Sequence, residues 1–282
     1  MMKISEEGKS PPSKDWVRYN KTLHENLRHK FTGARSLKCN WSQSFQDIFV
    51  LSILDGKSNG TYVEIGADQP RIYNNTYILE KDYNWDGVSF ELDADKVEFF
   101  DYVRRNPCVC TDATTFDYRS LFKEKNYPKQ IDYLSLDIEP ADNTLKALNQ
   151  LPLDEYRFSV ITFETELYQA LKATIHYADS PELQEAMRKE YGAYHIESKA
   201  RKILQSYGYE LLLENVMHQN NPYEDWWIDP NVVDPEIVNK FRIEYKEFIQ
   251  VATSDKISIT KKDLEILPRY YCIDGRDCVL TS

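Results

Sequence analysis

The sequence predicts an α/β protein, a mostly parallel sheet with helices on both faces, and three observations carry that prediction. Thr61-Tyr-Val-Glu-Ile65 is a short β-prone run, entered through the turn signal Asn59-Gly60 and left through Gly66-Ala67-Asp68. From there to Glu164, apolar runs alternate with helical stretches, the pattern of strands joined by crossover helices. The strands also end in acids, namely Glu91, Asp112, Asp137 with Glu139, and Glu164. Ligands of open α/β sheets bind at the carboxyl ends of the strands, so acids collected there are candidate site residues.

The composition of the 282-residue chain, 41% hydrophobic, 13% aromatic and 29% charged, provides for a sizeable core. A net charge of −11 argues against a nucleic-acid backbone or an anionic membrane as partner. The five cysteines have no metal or disulfide spacing. Cys108 and Cys110, two apart on a strand, read as small buried hydrophobes in a reducing, cytoplasmic setting. No apolar run reaches membrane-spanning length, and the polar N-terminus lacks a signal-peptide core.

Residues 1–40 read as a polar arm, with Pro11-Pro12 and a charged stretch from Asp15 to Lys30. From Ser42, a plausible N-cap, Phe45, Ile48, Phe49, Ser52 and Ile53 share a helical face. The Gly60 strand follows, and Gly66 lets the backbone approach a ligand where a side chain would obstruct it. Arg71 to Lys81 reads as a helix, and Trp85-Asp-Gly87 turns into the strand Val88-Ser-Phe-Glu-Leu92. An acid about 20 residues beyond the glycine turn accepts hydrogen bonds from ribose hydroxyls in nucleotide-binding α/β units, and Glu91 stands slightly farther on. Next come a helix over 93–105, the strand Pro107 to Ala113, in which Asp112 can accept from an adenine amino group, and a short helix over 116–125. In the strand Ile131 to Glu139, Tyr133, Ser135, Asp137 and Glu139 alternate onto one side. A helix over 141–149 leads to the strand Arg157 to Glu164.

Glu64-Ile-Gly-Ala-Asp68, Asn75-Thr76, Trp85-Asp-Gly87 with Glu91, Leu134-Ser-Leu-Asp-Ile-Glu139 and Ile161-Thr-Phe-Glu164 together resemble the FkbM family of S-adenosylmethionine-dependent methyltransferases. Ser42-Gln-Ser-Phe-Gln-Asp47, Ala200 to Tyr209 and Tyr223-Glu-Asp-Trp-Trp-Ile-Asp-Pro230 extend the resemblance over roughly residues 42 to 235. It implies a seven-stranded Rossmann-like sheet and O-methylation of sugar-like or polyketide-like acceptors. Tyr209 to Asn215 would be strand six, Glu224 to Ile228 an antiparallel strand seven, and Pro235 to Tyr245 a last helix. The chain departs from the family pattern at Pro140, at Asp68-Gln-Pro70 and at Thr165. Its domain would span residues 41–240. Residues 166–196 would form a helical lid, with Ser180-Pro181 starting a helix that stops at Gly192. Residues 241–282 would be an extension packed on the domain or across a homodimer.

The implied cofactor site places Glu64, Gly66, Ala67 and Asp68 near the methionine part of S-adenosylmethionine, with Asn75 and Thr76 in the following loop. Glu91 and Leu92 fall at the ribose, Asp112 and Ala113 at the adenine, and Asp137 at the methyl. Methyl transfer needs positioning and a proton acceptor rather than a protein nucleophile. Asp137, Glu139 and Glu164 are the candidate catalytic acids, as a base pair or as oxygen ligands of Mg²⁺. His176, His195 and His218 read as surface residues. Two alternatives remain at this point. An NAD-dependent oxidoreductase would need G-x-G-x-x-G, of which only Gly66 is present. A degenerate nucleotide-binding or interaction protein would accommodate Pro140 and Thr165.

Overall fold

The computed structural model describes residues 31–34, 37, 41–166, 193–218 and 221–241, without the side chains of 193–195, 217–218 and 221–223. One seven-stranded sheet runs in the order β3-β2-β1-β4-β5-β7-β6. Its strands are β1 (Thr61–Ile65), β2 (Asp86–Glu91), β3 (Cys108–Cys110), β4 (Gln130–Leu136), β5 (Arg157–Glu164), β6 (Glu210–His218) and β7 (Asn221–Ile228). β7 pairs antiparallel with both β5 and β6, and the pairs among β1 to β5 are parallel. This is the mostly parallel Rossmann-like sheet expected from the sequence, with the antiparallel seventh strand in place.

The helices are α1 (Gln46–Ile53), α2 (Tyr77–Tyr83), α3 (Ala94–Val103), α4 (Tyr118–Glu124), α5 (Ala141–Gln150) and α6 (Ala193–Ser206), followed by α7 over residues 235–241. They cover two faces because central parallel strands must be buried on both sides. On one face α1 and α2 meet Tyr62, Tyr133, Val160 and Trp226, and Phe49 stacks on Trp226 at 4.2 Å. On the other, α4, α5 and α6 cover Val63, Ile65, Leu134, Leu136, Ile161 and Phe163. Phe31, Ala34 and Leu37 are buried in the first of these cores, so the described end of the presumed arm belongs to the domain.

Several sequence expectations shift. Ser42 does not cap α1: the N-cap is Phe45, without a side-chain cap, while Ser42 Oγ donates to Asp47 Oδ1. Asp47 also accepts from the Trp41, Ser42 and Ile48 amides, knotting the chain before the helix. The helix expected from Arg71 begins only at Tyr77. Its first half is spent on a loop in which Tyr73 takes φ 56° and the Thr76 hydroxyl turns inward to Glu64. β4 ends at Leu136, so Asp137 and Glu139 lie in the loop beyond it, although the Asp137 amide still donates to the Ile65 carbonyl. β3 is three residues long, leaving Asp112 and Ala113 past its end, and Cys110 is exposed while Cys108 is buried. The lid helix over 181–191, most of the arm and the extension beyond 241 lie outside the described residues.

Gly66 adopts φ 89°, and a Cβ built on it would stand 1.7 Å from the Asp137 carbonyl oxygen. The close approach that the structure shows at this glycine is to the Asp137 carbonyl, just past the end of β4. Gly66→Ala combines a left-handed backbone cost of about 1–2 kcal/mol with that clash. We expect the urea midpoint to fall by more than the φ cost alone, since the Asp137 carbonyl must move.

Candidate active site

At the carboxyl edge of the sheet, β1, β2, β4 and β5 deliver their terminal residues to one rim. Glu91, at the end of β2, accepts from the amides of Asp68 (2.9 Å), Leu92 (2.8 Å) and Asp93 (3.0 Å). Three of about four acceptor sites are thereby used, leaving one on Oε2. The carboxylate is held by backbone and ties the β1 loop to the β2 loop. Asp68 on that loop is exposed, sits at φ 44° and pairs with Lys96 of α3. Leu92 is 70% exposed, an apolar side chain standing beside the fixed Glu91 carboxylate. Asp112 is exposed and engaged by the Thr114 amide and hydroxyl, contacts that hold its carboxyl below the ordinary range. Ala67 and Ala113 are buried.

Two of the expected cofactor residues prove to be interior. Glu64 is 2% exposed and accepts from Thr76 Oγ1 at 2.9 Å and Ser89 Oγ at 2.7 Å. Burial raises its pKa, an effect opposed by Arg104. Thr76 is fully buried and receives an Arg104 N–H as well. A carboxylate inside an apolar strand signals either a site or a satisfied core charge, and Glu64 is the second. The partner that decides this, Arg104, carried no sequence signal because it comes from the far end of α3. Asn75, by contrast, donates to Ser135 Oγ at 2.9 Å and leaves its buried Oδ1 with no partner among the described residues.

On the α1–α2 face of the same rim the three catalytic candidates separate. Asp137 and Glu164 share a side-chain hydrogen bond, which requires one proton between the two carboxyls. Burial is the leading cause that raises both, and their mutual repulsion adds to it for Glu164. Such a pair titrates as a unit. Glu139 is exposed and outside the pair, although its charge pushes Asp137 up further.

A fourth acid, Glu224 of β7, lies directly opposite Glu164 in the antiparallel register. It is fully buried, accepts from Trp226 Nε1 at 2.6 Å, and burial drives its pKa well above the ordinary carboxylate value. Sequence reasoning quoted Glu224 within a motif without giving it a role. The available signal was a pair of acids leading into the apolar run of a strand, Glu224-Asp-Trp-Trp-Ile228. Glu166, expected in the lid, is 4% exposed, and its Oε2 accepts from the Ala141 amide at the start of α5. Among the described residues no group of three or more His, Cys, Asp or Glu side chains is arranged to hold a metal ion. Nor is any described helix long and apolar enough to cross a membrane.

No family model and no curated protein sequence matches the chain. Solved structures similar to it include the SAH-bound methyltransferase PaMTH1 of Podospora anserina, at 14% identity over 81% of this chain and 97% of that one, with a TM-score of 0.46. The plantazolicin methyltransferase BpumL in complex with SAH aligns at 14% identity over 79% of this chain and 93% of that one, with a TM-score of 0.43. The O-methyltransferase from Bacillus cereus in complex with SAH aligns at 14% identity over 74% and 91%, with a TM-score of 0.41.

Proposed function

We propose that the chain is an S-adenosylmethionine-dependent methyltransferase of the FkbM kind, acting on a hydroxyl of a small or sugar-like acceptor. The observation that carries this reading is the Glu91 carboxylate, fixed by three backbone amides at the end of β2 beside the exposed Leu92. A preorganised acceptor next to an exposed apolar side chain suits a ribose with its base lying on that side chain. The chemistry of the rim fits the rest of the molecule, because Asp68, Asp137 and Glu164 form an acidic edge for a cationic donor. When bound, S-adenosylmethionine supplies an electrophilic methyl on a positively charged sulfur.

The chain's own task is then to orient the acceptor hydroxyl and remove its proton. The Asp137–Glu164 pair supplies the base once it has ionised. Its ionised oxygen accepts the hydroxyl proton as the acceptor oxygen takes the methyl. Burial makes this carboxylate a stronger base than an exposed one, which is the useful direction for deprotonating a hydroxyl. The NAD reading has only Gly66 of the G-x-G-x-x-G motif behind it.

Titration calorimetry with S-adenosylmethionine and, in parallel, NAD tests this reading. Wild type should bind only the former, and Glu91→Ala should weaken that binding by about 1.5–3 kcal/mol, the range for a charge-assisted hydrogen bond. Equal affinity in the variant would remove Glu91 from the site. Binding of NAD instead would replace the proposed activity with hydride transfer.

A further inference from the structure

Behind the proposed base pair, the rim holds more negative and acceptor groups than proton removal uses. Glu224 is fully buried and its Oε1 has no hydrogen-bond partner among the described residues. Glu164 is 5% exposed and its Oε2 receives no N–H or hydroxyl. Asn75 is 4% exposed, and its Oδ1 is likewise unpartnered. Strand register places the three together. Glu164 and Glu224 are directly paired, Ser135 is paired with Thr162 two residues before Glu164, and Asn75 bonds Ser135. Alternation puts Ser135, Thr162, Glu164, Glu224 and Trp226 on the α1–α2 face.

Asn75 Oδ1 is an acceptor, and the two carboxyl oxygens become acceptors once their groups ionise, so the complement that would favour ionisation is a set of donors. Charge is unbalanced in the same direction. Every other buried acid of this face has a nearby cation or a full set of donors: Glu80 pairs with Arg104, Glu64 feels Arg104, and Asp47 takes the Trp41, Ser42 and Ile48 amides with the Ser42 hydroxyl. Among the described residues, Asp137, Glu164 and Glu224 form no ion pair. Glu224 faces the other two acids and the Tyr133 phenol, and hydrogen bonds with the Trp226 indole, Gln46 and Thr162 oppose the effect of its burial, but none of these groups is cationic. A buried carboxyl without a nearby cation is costly to ionise even when it is hydrogen-bonded. A primary ammonium brings three N–H donors and one positive charge to such a set of groups.

We propose that the acceptor is an amino alcohol: a protonated amine anchors on Glu224, with Asn75 and Glu164 as further acceptors, while a neighbouring hydroxyl faces Asp137. This rests on the methyltransferase reading and narrows its acceptor class. The amine is a handle and is not methylated, because as an ammonium it has no lone pair to offer. On binding, the Glu224 O–H proton leaves to the buffer, and the resulting carboxylate pairs with the ammonium.

The test uses probe pairs that differ only in amine against hydroxyl: glucosamine with glucose, and ethanolamine with ethylene glycol. Each is titrated into the full-length protein at neutral pH, with and without saturating SAH, in two buffers of different ionisation enthalpy. We expect the amine of each pair to bind about ten- to a hundredfold tighter, the span of a charge-assisted contact. Its binding heat should depend on the buffer, as proton release requires, and that of the hydroxyl probe should not. Glu224→Gln reproduces the shape of the protonated carboxyl, so it should fold and lose the amine preference while keeping the weak hydroxyl binding.

No preference in either pair, including no binding of any probe, overturns the proposal. So does a preference that survives Glu224→Gln, or Mg²⁺ alone giving the Glu224-dependent signal. The buffer comparison on wild type stands whether or not the variant folds. If SAH fails to bind while the amine preference remains, the methyltransferase reading falls and the cation site stands. If SAH binds and the preference is missing, only the acceptor class is wrong.

Discussion

Arg104→Met is expected to destabilise the protein by about 3–5 kcal/mol at neutral pH, the range for removing one partner of a buried ion pair. Arg104 is fully buried and makes five hydrogen bonds: to Glu80 at 2.9 Å, Pro70 carbonyl at 3.1 Å, Asn74 at 2.9 Å, Tyr62 at 3.0 Å and Thr76 at 3.0 Å. Burial alone would lower its pKa, yet Tyr62, Glu64 and Glu80 around it outweigh that and raise it. Methionine keeps much of the apolar volume, so the loss is chiefly electrostatic. The variant leaves Glu64 and Glu80 buried beside each other without a cation.

The pH dependence separates this from a packing defect. Glu64 already has a raised pKa in the folded state, and losing Arg104 removes a contribution that lowers it. A carboxyl whose folded pKa is raised contributes stability below its unfolded value and loses it as pH rises through the folded one. The deficit should therefore shrink as pH is lowered through the raised folded-state range, where Glu64 takes up its proton in the folded protein and no longer needs the cation. Urea unfolding of both proteins at pH 7 and pH 5 checks this. A deficit equal at the two pH values would mean that a cavity, not charge, sets the loss.

The parts of the fold that were legible in the sequence are those set by local pattern. β5 was readable because Arg157 to Glu164 is an unbroken β-prone run bounded by turns, and burial on both faces favours such runs. The α2 start was not, because the apolar spacing of Ile72, Thr76 and Leu79 mimics a helix while Arg104 pins Pro70 and Asn74 into a loop. That constraint arrives from thirty residues downstream in sequence. The strand-end position of Glu91 was legible because it closes an apolar run. That Glu64 and Thr76 are buried beside Arg104 was not legible, because alternation tells which face a side chain takes, not what that face meets. Glu224 was missed for the complementary reason. Only the antiparallel pairing of β7 with β5 brings it opposite Glu164, and register between distant strands is invisible in one sequence.

Asp137→Asn is expected to lower turnover by about 10²–10⁴-fold, the usual loss when a general base is removed. The asparagine amide can donate to Glu164 where the two carboxyls now share a proton, so the local shape is preserved and cofactor affinity should change little. Two pH readouts identify the role. In wild type, the base form of the pair emerges only as pH rises through values above the ordinary carboxylate pKa, because burial and neighbouring acids hold it protonated. The rate should climb over that elevated range, and the climb should be absent in the variant. Stability should move the other way. A raised carboxyl costs stability as pH increases, so replacing it with an amide should leave Tm unchanged or higher at neutral and alkaline pH. If Asp137 served only to hold the loop after β4, the variant would melt earlier and turn over normally once folded. Low turnover with an undiminished Tm assigns Asp137 to the chemistry. A lowered Tm with normal turnover assigns it to the loop.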